Sequence, residues 1–342
     1  MARGGTRTPR AGSRATMADV ARLAGVSKQT VSRVLNGTGR TSERTRRRVE
    51  QAIRELNYRR SGVARSLATN SSLTLGLVVP ALDNPYYADI AQGAELAAWE
   101  AGYNLFLCNV FQDAGREGAA LRSLEERGAD GVIVDTPRLP DGALAELLGR
   151  YKAAVVIGRE VPLEVASSIV VDDAAGVQLA LGALHDAERR RVALLAGPDL
   201  YASSTVRREA FVRSERERGL FDPARVVIAD TSPEASFAAT LELLSRTPFD
   251  ALVCFNDIMA AGALRALQVA GVRVPEEVAV VGHDDIPMAA WLSPPLATVR
   301  VPKREIGQRA VATLIAGLSG AANTRVVLTP ELTVRESLSG MG

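Results

Sequence analysis

Apolar positions along this chain follow one period at the start and another afterwards. Between residues 16 and 60 they recur every three or four positions in short blocks: Val20, Leu23 and Ala24, then Val31, Val34 and Leu35, then Val49, Ala52, Ile53 and Leu56. That spacing predicts three short amphipathic helices sharing one core. Beyond residue 73 the pattern changes to continuous runs rich in β-branched residues, each followed by an amphipathic stretch. LTLGLVVP (73–80) reads as a buried strand with a helix near 86–100 behind it, and YNLFLCN, DGVIVD and AAVVIG follow as strands. After about residue 165 the rhythm restarts with SSIVVDD, RVALLAG, ARVVIA, DALVCF and VAVVG. Continuous apolar strands suit a parallel sheet covered on both faces. Two successive rounds predict two similar doubly wound α/β subdomains, and ligands bind such folds in clefts at the carboxyl ends of the strands.

Local punctuation sharpens the first part. Thr16 with Asp19 three positions on forms a capping-box pair, and Gly25 stops the helix by allowing a positive φ. Ser27 caps a second helix, and a third begins near Ser42. Two short helices joined by Gly-Val-Ser predict an all-α helix-turn-helix head whose second helix enters a major groove. With Val31, Val34 and Leu35 inward, Lys28, Gln29, Ser32 and Arg33 fall on the outer side. Arg44 and Arg46–Arg48 of the third helix face solvent or phosphate.

Charge separates the chain into the same two parts. Residues 1–72 hold 16 Arg/Lys against 4 Asp/Glu, and the remaining 270 residues hold 25 against 35. The overall net charge of +2 therefore combines a head of +12 with a body of −10. A basic head neutralises phosphates and a mildly acidic body does not. Residues 1–15 are basic but lack an apolar stretch, so they read as a disordered arm rather than a secretory signal. No apolar run reaches the ~18 residues of a membrane span, and a cytoplasmic chain is expected.

Candidate chemistry is sparse. Cys108 and Cys254 both sit in apolar runs and read as small buried hydrophobes. With only His185 and His283 present, no His/Cys metal cage and no cofactor are expected. There is no P-loop, no GxGxxG at a strand end and no paired nucleophile and base. These absences oppose an enzyme, and the basic head opposes a free solute-binding protein.

These motifs carry a resemblance. MADVARLAGVSKQTVSRVLNG, RTSERTRRRVEQAIRELNY and SGVARSLATNSS resemble the head of the lac repressor family of bacterial transcription regulators, almost continuously from Thr16 to Asn70. CFNDIMAAGALRAL, GVRVPEEVAVVGHDD, PPLATV and LTVRES are similar to family signatures in the body. The resemblance implies a regulator, a repressor, that binds double-stranded DNA at a palindromic operator as a homodimer and answers to a small effector, a sugar or related molecule. It implies base reading by Lys28, Gln29 and Arg33, a hinge helix over Ser61–Thr69, and Leu67 as a wedge in the DNA. It also implies a body like the periplasmic sugar-binding proteins, with crossovers between subdomains. The expected divisions are a basic arm (1–15), the helix-turn-helix domain (16–60), and hinge helix and linker (61–72). A first body subdomain is expected over 73–160 and 292–320, and a second over 161–291 and 321–342. No heptad repeat is present to build a C-terminal coiled coil, so a tetramer of that kind is not expected.

For the effector, Arg207 offers a fixed cation with five donors, and Asp284 can accept two hydroxyls just past a strand end. The resemblance favours both as contacts. Asn256 is either a contact or a helix cap, and Tyr86 and Tyr87, after Asp83-Asn84-Pro85, offer rings for stacking. His283 stands where the family often has an aromatic and reads equally as a pocket wall or a switch. The chain also departs from the family at Glu188-Arg189, Ala210 and Thr231, and the last two blur any guess at the ligand.

Overall fold

A computed structural model describes residues 15–36, 39–58 and 71–339. The expected basic arm, apart from Ala15, and the expected hinge helix with Leu67 lie outside the described residues. The chain divides into two compact units, 1–72 and 73–342.

The head holds α1 (Met17–Ala24), α2 (Lys28–Asn36) and α3 (Glu43–Glu55). Thr16 accepts from the Asp19 amide while Asp19 accepts from the Thr16 amide, a reciprocal cap. Gly25 ends α1 with φ 60°. Ser27 and Ser42 accept from the amides of Thr30 and Thr45 at 3.1 and 3.2 Å, opening α2 and α3. Val20, Ala21, Ala24, Val31, Val49, Ala52 and Tyr58 form the core. Leu23 was expected in that core and is instead 50% exposed. The buried stripe of α1 is Val20, Ala21 and Ala24, which leaves Leu23 outside it.

The body contains two parallel-sheet α/β layers. The first sheet has the order β11-β5-β4-β3-β1-β2 and is parallel throughout. Its strands are β1 (Thr74–Val79), β2 (Asn104–Asn109), β3 (Gly131–Asp135), β4 (Ala154–Ile157), β5 (Ser167–Val171) and β11 (Arg325–Leu328). Helices α4 (Pro85–Glu100) and α11 (Lys303–Leu318) cover one face, and α5 (Ala114–Glu126) and α6 (Asp141–Leu148) the other. The second sheet has the order β12-β10-β9-β8-β6-β7, with only β12 antiparallel. It comprises β6 (Val192–Ala196), β7 (Val226–Ile228), β8 (Ala251–Cys254), β9 (Ala279–Asp284), β10 (Ala297–Arg300) and β12 (Glu331–Thr333). Helices α7 (Asp173–Asp186) and α8 (Ala202–Glu217) cover one side, and α9 (Pro233–Arg246) and α10 (Asp257–Val269) the other.

These pairings move the expected subdomain limits. The strand at 167–171 pairs with β4 in the first sheet and does not begin the second. The strand at 297–300 pairs with β9 in the second sheet, whereas 325–328 returns to the first. The chain thus crosses between sheets near Asp172, between Arg300 and Lys303, and between Leu328 and Glu331. The first subdomain runs over 73–171 and 303–328, the second over 173–300 and 331–339. The restart in rhythm near 165 marks one more strand before a helix, and strand periodicity does not reveal which sheet a strand joins.

YNLFLCN also departs from expectation. β2 is an edge strand with Phe106 and Leu107 exposed, so Cys108 is only half-buried, while Cys254 is buried in the second core.

α4 and α11 touch backbone to backbone. A Cβ on Gly93 would lie 2.1 Å from the Arg304 carbonyl oxygen, and one on Gly307 would lie 2.1 Å from that of Ile90. Only glycine admits this approach, and it locks the two helices into one slab beside the cleft.

Candidate functional site

In the head, Lys28, Gln29 and Arg33 are exposed on one side of α2 and Ser32 is half-buried beside them, while Val31 is fully buried on the other. The four candidates therefore share the outer face, as the spacing predicts. Arg44, Arg46 and Arg47 are exposed on α3. Arg48 has a different use: its guanidinium donates to the carbonyls of Ala24 and Gly25 at the C-terminus of α1. A cation there offsets the negative end of the helix dipole.

In the body, a cleft of about 1180 Å³ lies between the two sheets at the carboxyl ends of their strands. Tyr86, Tyr87, Arg207, Asn256 and Asp284 all line it, so the five sequence candidates are brought together. Asn84 places the tyrosines: it caps α4 by accepting from the Tyr86 amide at 3.0 Å, with Pro85 in the first turn. The two rings meet edge to face, 5.1 Å between centroids. Tyr87 is buried against the first core, and Tyr86 keeps the more open ring. Burial and the Asp135 carboxylate hold both phenols well above their ordinary pKa, so both stay neutral donors.

Arg207 is fixed before any ligand arrives. Its Nε donates to Asp173 Oδ1 at 2.7 Å, its Nη1 to the Phe255 carbonyl at 2.6 Å, and its guanidinium lies 4.9 Å from the Phe255 ring centroid. Burial opposes its charge, but the carboxylates of Asp173 and Asp284 outweigh that and raise its pKa. Asn256 is the N-cap of α10, accepting from the Met259 amide at 2.8 Å. The cap reading holds, and the amide NH₂ is left for the cleft. Asp257 does not share the cap: it accepts from Thr298 Oγ1 at 2.6 Å and the Ile286 amide at 2.8 Å. Burial followed by the charge of Asp284 pushes Asp257 up to about 8.

Asp284 ends β9 with φ 106°, a left-handed backbone rare for a residue with a Cβ. Burial pushes its carboxyl up to about 7 against the pull of Arg207 and Lys303. His283 is buried behind the Arg207–Asp173 pair, its Nε2 at 3.9 Å from Asp173 Oδ1. Burial first, then Arg207 and Lys303, hold its pKa well below the usual value, so it is neutral. It does not line the cleft itself.

Sequence reasoning missed Asp173, Arg138 and Tyr201. Arg138 follows β3 in the first subdomain; its Nε and Nη2 reach Gln112 Oε1 at 2.9 and 2.6 Å, and its backbone amide donates to Glu117 Oε2 at 2.7 Å. Its guanidinium lies 4.4 Å from the ring centroid of Tyr201, in the second subdomain. Tyr201 packs on Phe255 at 5.5 Å and shares a hydrogen bond with Thr231 at 3.3 Å. A cation and a ring thus bridge the cleft. Asp172-Asp173 at a helix start was a visible signal for a cap, and the Asp172 side chain indeed caps α7; nothing in TPRLP marked Arg138. Asp135, at the end of β3, has Oδ2 without a hydrogen-bond partner among the described residues and is pushed by burial to about 7.

Among the described residues no cluster of His, Cys, Asp and Glu is arranged to hold a metal ion, and no helix is long and apolar enough to cross a membrane. The site is built to bind: fixed donors and acceptors face a space of ligand size.

Comparison with known proteins covers both units. Residues 16–61 match the model of the bacterial regulatory proteins of the lacI family, and residues 181–338 match a periplasmic binding protein-like domain. The HTH-type transcriptional repressor PurR of Aliivibrio fischeri (strain MJ11) is 35% identical, covering 95% of this chain and 98% of the relative. The ribose operon repressor of Escherichia coli (strain K12) is 36% identical, covering 94% and 99%. Among solved structures, the lac repressor dimer bound to operator and the anti-inducer ONPF aligns with TM-score 0.86 at 28% identity, covering 95% of this chain and 99% of that one. The transcriptional regulator CelR in complex with cellobiose aligns with TM-score 0.71 at 32% identity, covering 95% and 100%.

Proposed function

Because this chain belongs to the lacI family of bacterial regulatory proteins, we propose that it is a cytoplasmic repressor that binds a palindromic operator as a homodimer and is released or engaged by a small polyhydroxylated effector. The observation that carries the DNA reading is the outer face of α2. Lys28, Gln29, Ser32 and Arg33 stand together there, opposite the buried Val31. Lysine and arginine suit guanine edges and glutamine suits adenine. The exposed arginines of α3 add phosphate attraction without sequence information. Leu67 is the proposed wedge at the centre of the operator, unstacking one base step.

A two-fold dimer reading a two-fold site follows from helix-turn-helix geometry. Trp99 and Trp291, 70% and 88% exposed, are the large apolar side chains that a second copy would cover. A relative in operator-bound form is itself a dimer.

The effector reading rests on Arg207 and Asp284 in one cleft with Asn256, Tyr86 and Tyr87. Arg207 already carries a carboxylate partner in Asp173, so the pair suits a neutral ligand with hydroxyls. Its donors meet ligand oxygens, Asp284 accepts ligand hydroxyls, and Tyr86 offers a ring for the apolar face of a sugar. The known complex of a relative with cellobiose supports a saccharide. Effector and DNA are coupled only if the ligand prefers one of two body states.

Selection of bound sequences from a random DNA pool tests the DNA reading. The expected product is a two-fold symmetric motif, bent in a circular-permutation gel by the wild type and less by Leu67→Ala. An enriched motif without symmetry contradicts the dimer, and an unchanged bend contradicts the wedge. For the cleft, calorimetry with the sugar that most stabilises the body in a thermal-shift panel should lose its signal in Asp284→Ala, with dimerisation intact. Equal affinity in the variant removes Asp284 from the site.

A further inference from the structure

At the end of β9 the chain leaves the second sheet through two residues that strongly prefer other conformations. Asp284 has φ 106° and Asp285 φ 50°, and neither is glycine. Such a turn persists only where its surroundings over-determine it. Several contacts do so from within the second subdomain. The Asp285 amide donates to Thr298 Oγ1 at 3.3 Å, its carboxylate accepts from Arg300 Nε at 2.8 Å and Arg335 Nη2 at 2.7 Å, and the Ile286 amide donates to Asp257.

A further contact comes from elsewhere. Lys303 is the first residue of α11, which packs on the first sheet. Its ammonium is buried and donates to the carbonyl of Asp284 and, at 2.9 Å, to that of Asp285. Left-handed backbone at both residues turns the two carbonyls onto this one donor.

We propose that Lys303 is a positioning residue for the effector site: its ammonium, delivered from the first subdomain, holds the Asp284–Asp285 turn that presents the Asp284 carboxylate to the cleft. The proposal rests on the reading of Asp284 as an effector contact. Its reach is longer than one turn. α11 is locked to α4 through the glycine contacts at Gly93 and Gly307, and α4 begins with Tyr86 and Tyr87 on the opposite wall. One ammonium therefore references the acceptor on one wall to the rings on the other. A subdomain movement that draws α11 away removes the Lys303 contacts and loosens Asp284, so closure and acceptor geometry change together.

The charge of Lys303 also acts on the Asp284 carboxyl. The groups facing that carboxyl are Arg207 of α8, Asp173 of α7, Asp257 of α10, the two tyrosines of α4, neighbouring His283 and Asp285, and Lys303 itself. Arg207 and Lys303 are the cations among them, and both favour ionisation.

Two readouts on the full chain test this, and neither needs a ligand. The first is a ¹³C titration of protein labelled at the aspartate carboxyl, with Asp284→Asn to assign the resonance. The Asp284 midpoint should rise by about one pH unit in Lys303→Met and Lys303→Gln and stay near wild type in Lys303→Arg. The second is amide hydrogen exchange over 284–286, which should quicken at least about tenfold in Lys303→Met and little in Lys303→Arg. A lysine that merely packs lowers the melting temperature but leaves exchange over 284–286 unchanged. If Lys303→Met does not fold, Lys303→Gln decides both readouts: it lacks the charge and its amide replaces only one of the two carbonyl contacts, so the midpoint should still rise and exchange should still quicken. An unchanged midpoint or an unchanged exchange rate overturns the proposal. Failure of the effector reading shows separately, in calorimetry of Asp284→Ala.

Discussion

Effector binding should release protons near neutral pH, and the amount follows from Asp284. Its carboxyl is pushed by burial to about 7 in the free protein, with Arg207 and Lys303 limiting the rise. Ligand hydroxyls that donate to it favour the ionised form and draw the pKa back down. At pH 7 about half the molecules carry the proton and must lose it, so binding should release about half a proton. The sign is fixed: the binding-competent form is the ionised one, so affinity rises with pH. The ionised fraction grows about tenfold between pH 6 and pH 8, which makes the affinity change about tenfold, or about 1.4 kcal/mol. Calorimetry with the same sugar in two buffers of different ionisation enthalpy measures the release directly. Asp135 and Asp257 also sit high, at about 7 and about 8, so Asp284→Asn is the control that isolates the source. Equal heats in both buffers, or uptake of protons, would refute the reasoning.

Three further outcomes are expected. Arg33→Ala should lower operator affinity by about 1–3 kcal/mol while affinity for random DNA changes little; equal losses on both, measured by fluorescence anisotropy, would make Arg33 a phosphate contact. Arg138→Met and Tyr201→Leu, taken singly and together, should show a coupling of about 0.5–2 kcal/mol in unfolding free energy or effector affinity; strict additivity would mean that the cross-cleft pair contributes nothing. Gly93→Ala drives a Cβ into the Arg304 carbonyl, 2.1 Å away, and should destabilise the body by about 1–3 kcal/mol. That corresponds to roughly 2–4 °C of melting temperature per kcal/mol in a domain of this size, and an unchanged melting temperature would show that α4 and α11 separate freely.

What could be read from the sequence was mostly local. Caps at Thr16, Ser27 and Ser42, the stop at Gly25 and the buried side of α2 all depend on neighbours a few residues apart, and each is seen where the spacing puts it. The two rounds of strand and helix were legible for the same reason. What failed was non-local. Periodicity says that 167–171 and 297–300 are strands, but their sheets are chosen by pairing with β4 and β9. Edge position likewise exposed Phe106 beside Cys108, and helix packing turned Leu23 outward. In the cleft, Arg207 and Asp284 stood out by chemistry. The residues that hold or oppose them, Asp173, Lys303 and the Arg138–Tyr201 pair, are distant in sequence or sit in unremarkable loops. The candidate groups were legible one by one, and their supports were not.

The protein is a transcriptional regulator of the lacI family, and a ligand in its cleft should change its hold on DNA. The most direct test is an anisotropy titration of the selected operator with the full chain, with and without a saturating cleft ligand, in wild type and in Asp284→Ala. The ligand should change operator affinity by about 5–150-fold in the wild type, as expected for a coupling of about 1–3 kcal/mol, and leave it unchanged in the variant. A ligand that binds the cleft tightly yet leaves operator affinity the same would contradict that coupling.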